Sequence, residues 1–338
     1  MRRATNKVLQ KAKRQKKDEF YTQLSDVENE LKHYKIHFKN KIVYCNCDDP
    51  RVSNFFHYFS YNFEILGLKK LITTCYKNQE IDLFSTSNSD KAIYLEYNGD
   101  KNNNKVPDIN EIETLKLNGD GDFRSLESIE LLKKSDIVVT NPPFSLFREY
   151  IKQLHEFNKK FLIIGTWNAI SYNEVFNLIM ENKLWIGFNS NRNFSGFIVP
   201  ENYNLYGTEA KIDKDGNRIV SSNNTCWFTN LEISKRNEEL ILYKKYNKND
   251  YNEYDNYKAI NIDNVKNIPK DYNGIMGVPI TFINKYNPNQ FKIIGSDYQV
   301  KSGDLNWMIK DQWEGKLDRG YINGKRLYSR IFIKNKRA

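Results

Sequence analysis

The stretch "SDIVVTNPPF", residues 135–144, sets the architecture expected of this chain. Ile137, Val138, Val139 and Thr140 form an unbroken β-branched run, the composition of a strand covered on both faces, as strands of parallel sheets are. The run ends on the polar Asn141. Pro142 and Pro143 then fix φ and remove two backbone donors, so the chain leaves the sheet with rigidly held carbonyls before reaching Phe144. Around this stretch the pattern alternates. The spacing predicts helices over 125–134, 146–157 and 172–181 and strands over 160–166 and 184–188. Upstream, 41–47 and 68–76 read as strands and 51–59 as a helix packed by its aromatics. Leu24, Val27, Leu31, Tyr34 and Phe38 recur at the steps of an amphipathic helix. Strands alternating with helices of about ten residues imply βαβ units and a mainly parallel sheet.

Two regions break the alternation. Residues 77–118 are polar, contain one strand-like run at 92–97, and read as an insertion. Beyond residue 189 Gly, Asn and Tyr dominate, with isolated strand-like runs at 225–229, 277–283 and 330–336. The expected organisation is therefore a basic arm over 1–17, a catalytic domain over 18–188 and a second region over 189–338.

Composition limits the function. A chain of 338 residues with 39% hydrophobic content can bury a sizeable core. The formal net charge of +10, from 52 Lys and Arg against 42 Asp and Glu, favours a polyanionic partner. No apolar run is long enough for a membrane span, and "MRRATNKVLQKAKRQKK" (1–17) lacks the apolar core of a signal peptide. Four cysteines without a CxxC pair argue against a zinc site and for free thiols in a reducing cytoplasm.

In open parallel sheets ligands bind beyond the carboxyl ends of the strands, which is where Asn141 is delivered. A carboxamide oxygen beside a locked proline carbonyl offers two acceptors aimed at one point, the complement of an NH2 group with two hydrogens to donate. Phe144 adds a flat face on which a planar ring can stack. An amine on an aromatic ring is a poor nucleophile because its lone pair is delocalised. Two acceptors pulling on its hydrogens favour a pyramidal nitrogen, whose lone pair can attack a methyl donor placed in line.

Asn-Pro-Pro-Phe resembles the Asp/Asn/Ser-Pro-Pro-aromatic motif of S-adenosylmethionine-dependent amino-methyltransferases. The longer strings "YCNCDDPRVSNFF" (44–56), "GDGDFRSLESIELLKKSDIVVTNPPFSLFREY" (119–150), "GTEAKID" (207–213) and "DYNGIMGVPITFI" (271–283) closely resemble EcoRI-type adenine-specific DNA methyltransferases. The likeness runs over nearly the whole chain. It implies an α/β fold: a Rossmann-like methyltransferase sheet followed by a C-terminal α+β target-recognition region. The implied activity is N6-methylation of a flipped-out adenine in duplex DNA, with GAATTC the leading site, S-adenosylmethionine the donor, and Asn141, Pro142, Pro143 and Phe144 catalytic. By the same resemblance "DEFYTQ" (18–23) meets the methionine end of the cofactor through Tyr21 and Thr22. Asp122 accepts from the cofactor's adenine amine, and Phe123 lines the adenine pocket. The loop Asn46-Cys47-Asp48-Asp49-Pro50 lacks the glycines usual after the first strand; Asp48 and Asp49 are placed to receive the ammonium or ribose hydroxyls beside Cys47 and Asn141. The acidic residue that usually ends the second strand is missing, since Cys75-Tyr76 stands there.

An amine inside a duplex is stacked and paired, so its nucleotide must be extruded. Lys and Arg of the N-terminal arm and of "GKRLYSRIFIKNKRA" (324–338) would meet phosphates. The loops "NSNRNFSGF" (189–197) and "LYGTEAKIDKDGNRI" (205–219), with Arg192, Asn193, Lys211 and Arg218, would read base edges. Trp167 and Asn168, beyond the strand at 160–166, border the flipped base or, for Trp167, the core. The expected partners are double-stranded DNA and a separate cognate endonuclease, with the enzyme a monomer. Rival readings are methylation of RNA guanine amines or of a protein glutamine amide, N4-methylation of cytosine, which more often uses Ser at the Asn141 position, and a non-catalytic DNA-binding scaffold.

Overall fold

A computed structural model describes residues 21–47, 53–74, 92–104, 107, 111–190, 194–199, 210–214, 216–221 and 224–338. The chain divides into two compact units, one of residues 1–175 and 186–231, the other of residues 176–185 and 232–338. Residues 197–229, placed by sequence in the second region, are thus built into the first unit.

The first unit opens with β1 (Tyr21–Thr22) and α1 (Leu24–Leu31), then β2 (Ile42–Cys45), α2 (Asn54–Tyr61), α3 (Phe63–Leu66) and β3 (Lys70–Thr74). β4 (Ile93–Tyr97) and β5 (Ile112–Lys116) precede α4 (Leu126–Lys134), β6 (Ile137–Thr140), α5 (Phe147–Glu156) and β7 (Lys160–Thr166). Along the chain follow α6 (Asn173–Met180), whose residues from Phe176 belong to the second unit, and then β8 (Trp185–Ser190), β9 (Phe197–Val199), β10 (Ala210–Ile212), β11 (Arg218–Val220) and β12 (Thr225–Thr229).

Eight of these strands form one sheet in the order β5-β4-β3-β2-β6-β7-β12-β8. β3, β2, β6 and β7 run parallel. β4 runs antiparallel to β3 and β5, and β12 antiparallel to β7. The sheet is therefore mixed, parallel only in its centre. All four residues of β6 are buried, and burying each of its three apolar side chains contributes about 1.5–3 kcal/mol. The region 77–118, read as an insertion with a single strand, supplies two strands of this sheet, β4 and the edge strand β5.

Chain order reverses at β2. The chain moves from β2 to β3 on one side and returns to β6 on the other, which makes the β2–β6 junction the topological switch point where an open α/β sheet holds its ligands. The register Tyr44↔Val138 sets the carboxyl ends of these two strands level.

A second, four-stranded sheet of the first unit has the order β1-β9-β11-β10, antiparallel throughout. Two carboxylates of α1 hold the chain that feeds β9. Asp26 accepts from the backbone N–H and hydroxyl of Ser195. Glu30, fully buried, accepts from the N–H groups of Phe188 and Asn189 at 2.6 Å each and from the Tyr34 hydroxyl at 2.7 Å.

The second unit carries a sheet of β13 (Ile260–Asn261), β14 (Met276–Pro279), β15 (Phe291–Ser296) and β18 (Arg330–Asn335), in the order β13-β14-β18-β15. α7 (Asp297–Ser302) follows β15 and starts on a Ser296–Gln299 capping box. β16 (Tyr321–Ile322) and β17 (Lys325–Arg326) pair as a hairpin. Tyr254, Tyr257, Val300, Met308 and Phe332 fill its core.

Candidate active site

Asn141 leaves the end of β6 and is buried, 8% exposed. Pro142 is buried and Pro143 half-buried, and a 3-10 turn over Phe144–Leu146 leads into α5. The Pro143 carbonyl accepts the Leu146 N–H at 2.9 Å, which closes that turn. Among the described residues no hydrogen bond to the Pro142 carbonyl is formed. Of the two proline carbonyls, only Pro143's is engaged in closing the turn.

α5 ties this turn to two loops that sequence reasoning placed at the site separately. Its buried residues Phe147, Tyr150, Ile151 and Leu154 form one helical face. From that face the Tyr150 hydroxyl donates to Oδ1 of Asn46, the first residue after β2. Burial is the main cause that raises the Tyr150 hydroxyl well above the ordinary tyrosine value, so it stays protonated and serves as a donor. The Tyr150 ring meets Phe123 edge-on at 5.0 Å, and Gln153 donates to the Phe123 carbonyl at 3.0 Å. Glu149 accepts from Arg124 at 3.0 Å. One helix thus holds the loop after β2 and the "GDGDF" turn (119–123) against the Asn-Pro-Pro-Phe segment. Asn46, Tyr150 and Gln153 were not singled out from sequence. Asn46 and Tyr150 stand 104 positions apart, beyond any local pattern.

In the turn over 119–123, Gly121 is buried with φ 76°, a conformation glycine reaches without strain. Asp122 is already engaged: its Oδ1 accepts from the Arg124 backbone N–H and Nε, and its Oδ2 accepts from Nη2 at 2.7 Å. The hydrogen bond from the Arg124 guanidinium holds the Asp122 carboxyl below the usual carboxylate range. A carboxylate has about four lone-pair sites, so an oriented acceptor position remains on Oδ2. Phe123 is buried, with the Arg124 guanidinium 5.4 Å from its ring centre.

Thr22, 3% exposed, holds a buried hydroxyl that makes no hydrogen bond among the described residues. An unsatisfied buried hydroxyl costs about 1–3 kcal/mol, and a ligand polar group beside it would remove that cost. Its carbonyl is fixed by the Asn54 amide at 2.8 Å. Tyr21 is half-buried beside it in β1. Cys47 is half-buried, its Sγ donating weakly to Asn46 Oδ1 at 3.6 Å. Asp48, Asp49, the Cys75-Tyr76 pair, Arg192, Asn193 and the arm over 1–17 lie outside the described residues.

Phe144 is half-buried and packs against Phe197 of β9, ring centres 6.0 Å apart and planes at 66°. Trp167 is buried at the start of a 3-10 turn while Asn168 is exposed. Lys211 and Arg218 share the β10–β11 hairpin but do not share a face. Lys211 is opposite Ile219, whereas Arg218 is opposite Ile212 and Val199, and successive residues of a strand point to opposite faces.

The comparisons agree on one family. Residues 8–336 match the family described as adenine-specific methyltransferase EcoRI. The chain is 56% identical to the Type II methyltransferase M.EcoRI of Escherichia coli, over 99% of this chain and 98% of that protein. It is 40% identical to the Type II methyltransferase M.MgeORF184P of Mycoplasma genitalium and 37% identical to M.MpnI of Mycoplasma pneumoniae, each over 96% of this chain and 97% of the relative. No solved structure matches the chain. No helix among the described residues is long and apolar enough to cross a membrane.

Proposed function

The chain belongs to the adenine-specific EcoRI methyltransferase family and is a Type II DNA adenine methyltransferase; from that premise we propose that it methylates N6 of an adenine extruded from duplex DNA, within GAATTC, using S-adenosylmethionine. The observation that carries this reading is the place of Asn141-Pro142 at the switch point, directly after the fully buried β6; the Asn141 amide oxygen and the Pro142 carbonyl are the acceptors we assign to the amine.

S-adenosylmethionine, when bound, supplies a methyl made electrophilic by its sulfonium. Tyr21, Thr22, Cys47, Asp48, Asp49, Asp122, Phe123 and Asn141 are the residues assigned to hold it. The Thr22 hydroxyl, without a hydrogen bond among the described residues, and the remaining Oδ2 position of Asp122 are features of this chain that suit a polar ligand. Asn141 and the Pro142 carbonyl receive the two hydrogens of the adenine amine, and one of these oxygens guides the proton toward solvent as the nitrogen attacks. Phe144 offers its ring for the base to stack on. Rigid acceptors need no reorganisation as charge develops, which is the main advantage of a preorganised site. Target recognition is assigned to 189–338, with Arg192, Asn193, Lys211 and Arg218 meeting DNA. Because Lys211 and Arg218 point to opposite faces of their hairpin, they meet different parts of the DNA. The protein acts as a monomer in the cytoplasm, beside an endonuclease for the same site.

Purified protein with labelled S-adenosylmethionine is expected to label a GAATTC duplex and to leave unlabelled a duplex whose target adenines already carry N6-methyl groups. Label appearing in ribosomal RNA or release factor while absent from DNA would overturn the reading. Tyr150→Phe removes the hydroxyl that fixes Asn46. The loss of one buried hydrogen bond, about 1–2 kcal/mol, is expected to raise the cofactor dissociation constant roughly 5–30-fold, with kcat within about threefold at saturation; calorimetry and initial rates check both.

A further inference from the structure

Phe197 stands at a junction of three functional segments. Its Cα is paired with Thr22 of β1 on one side and with Val220 of β11 on the other. Residues directly opposite in an antiparallel sheet present their side chains on the same face, so Thr22, Phe197 and Val220 share one. Arg218 and Val199, two residues along their strands, share it too. On that face the Phe197 ring meets Phe144 in the T-shaped contact, and Phe194 packs on its other neighbours, 6.5 Å from Phe197 and 5.9 Å from Trp227. Phe197 is only 4% exposed. It is therefore pinned both by backbone pairing and by aromatic packing. The strand is also anchored at its entry, where Gln23 donates to the Gly196 carbonyl at 2.8 Å. A Cβ at Gly196 would lie 2.8 Å from the Val220 carbonyl oxygen, so this approach of β9 to β11 admits no side chain.

We propose that Phe197 is a positioning residue for methyl transfer: it sets the angle of the Phe144 ring and ties that angle to the β10–β11 hairpin. The proposal rests on the reading of Phe144 as the platform for the extruded base. All three residues of β9 are paired with β11, and Val220 stands directly opposite Phe197, so a shift of β11 when the hairpin meets DNA is carried to the ring that abuts the catalytic turn. The same strand borders Thr22, so the base platform and the cofactor segment share one support.

The test is a double-mutant cycle on kcat, with Phe144→Leu, Phe197→Leu and the double variant acting on a GAATTC duplex. Phe197→Leu keeps an apolar side chain in the strand but removes the aromatic ring. Misplacement of a reacting partner by about 1 Å costs on the order of 10²-fold, so kcat is expected to fall about 10–100-fold. KM for DNA and the cofactor dissociation constant are expected to stay within about threefold. If Phe197 acts through Phe144, the double variant falls no further than Phe144→Leu alone, within about twofold. Multiplying effects would overturn the proposal, as would loss of cofactor binding in both Phe197→Leu and Phe197→Met, which would make the residue merely structural. Fluorescence of 2-aminopurine at the target position adds a readout of the base itself: Phe197→Leu is expected to retain extrusion with altered stacking, and an unchanged signal beside an unchanged kcat would refute the coupling. Wild-type protein that labels no DNA, or Phe144→Leu with full kcat, would instead remove the underlying function or the role of Phe144.

Discussion

Asn141→Ala is expected to reduce methyl transfer to a GAATTC duplex by about 10³-fold or more while leaving the fold and cofactor binding in place. The substitution deletes one of two acceptors that hold the amine and leaves the Pro142 carbonyl alone. Removing a single preorganised partner of this type costs about 10²–10³-fold, or roughly 3–4 kcal/mol. A lone acceptor also fails to orient the lone pair, which adds to the loss. Folding is spared because β6 and its neighbours are pinned by the ladders to β2 and β7 and by α5. Asn141→Asp, which keeps acceptor oxygens in the same place, is expected to retain more activity than Asn141→Ala. Single-turnover assays with labelled donor, beside calorimetry for cofactor binding, give both comparisons. Turnover in Asn141→Ala within tenfold of wild type would remove the residue from its assigned role.

What was legible in the sequence was the part built by local pattern. The β-branched run of β6, the helices on either side of it and β7 follow from apolar periodicity, and β7 and β12 fall on the residues expected, Lys160–Thr166 and Thr225–Thr229. The pattern failed where burial is one-sided or elements are short. β5, "IETLK", is an edge strand with its residues exposed or half-exposed, so it shows no apolar run and was absorbed into an apparent insertion. The strands of the small sheet have two or three residues each, too few for any period. The helix expected over 24–38 ends at Leu31 and gives way to a 3-10 turn, although Tyr34 and Phe38 remain buried as their spacing implied. At the site, the Asn-Pro-Pro-Phe segment was readable because its residues are contiguous. Tyr150, Gln153 and Phe197 were not, because their roles come from contacts across the fold with partners 30 to 104 positions distant in the case of the two helix residues.

Glu30→Ala is expected to destabilise the protein by several kcal/mol, because each buried donor left without its acceptor costs about 1–3 kcal/mol. The Ala variant strands two backbone N–H groups, of Phe188 and Asn189, and the Tyr34 hydroxyl, all of which donate to this carboxylate. Space cannot simply close, because Gly187 already packs a backbone against Glu30 so tightly that a Cβ there would lie 2.4 Å from its Oε1. The acid carries a second signature. Burial pushes the Glu30 carboxyl up to about 7, against the lowering effect of its three donors. The folded protein thus retains a proton that the unfolded chain releases near the ordinary value of 4.5, and between those limits it binds more protons than the unfolded chain. The stability this group contributes is complete below about pH 4.5 and is lost as pH rises through about 7, a change of a few kcal/mol. Thermal midpoints of wild type and Glu30→Gln at pH 5.5 and pH 8 test it: the advantage of wild type should shrink at the higher pH. An advantage that grows with pH would mean that Glu30 is held ionised by its donors. Because the same donors carry the chain from β8 toward β9, cofactor binding at Thr22 should weaken in parallel with stability, and a variant that melts early yet binds cofactor normally would uncouple α1 from the site.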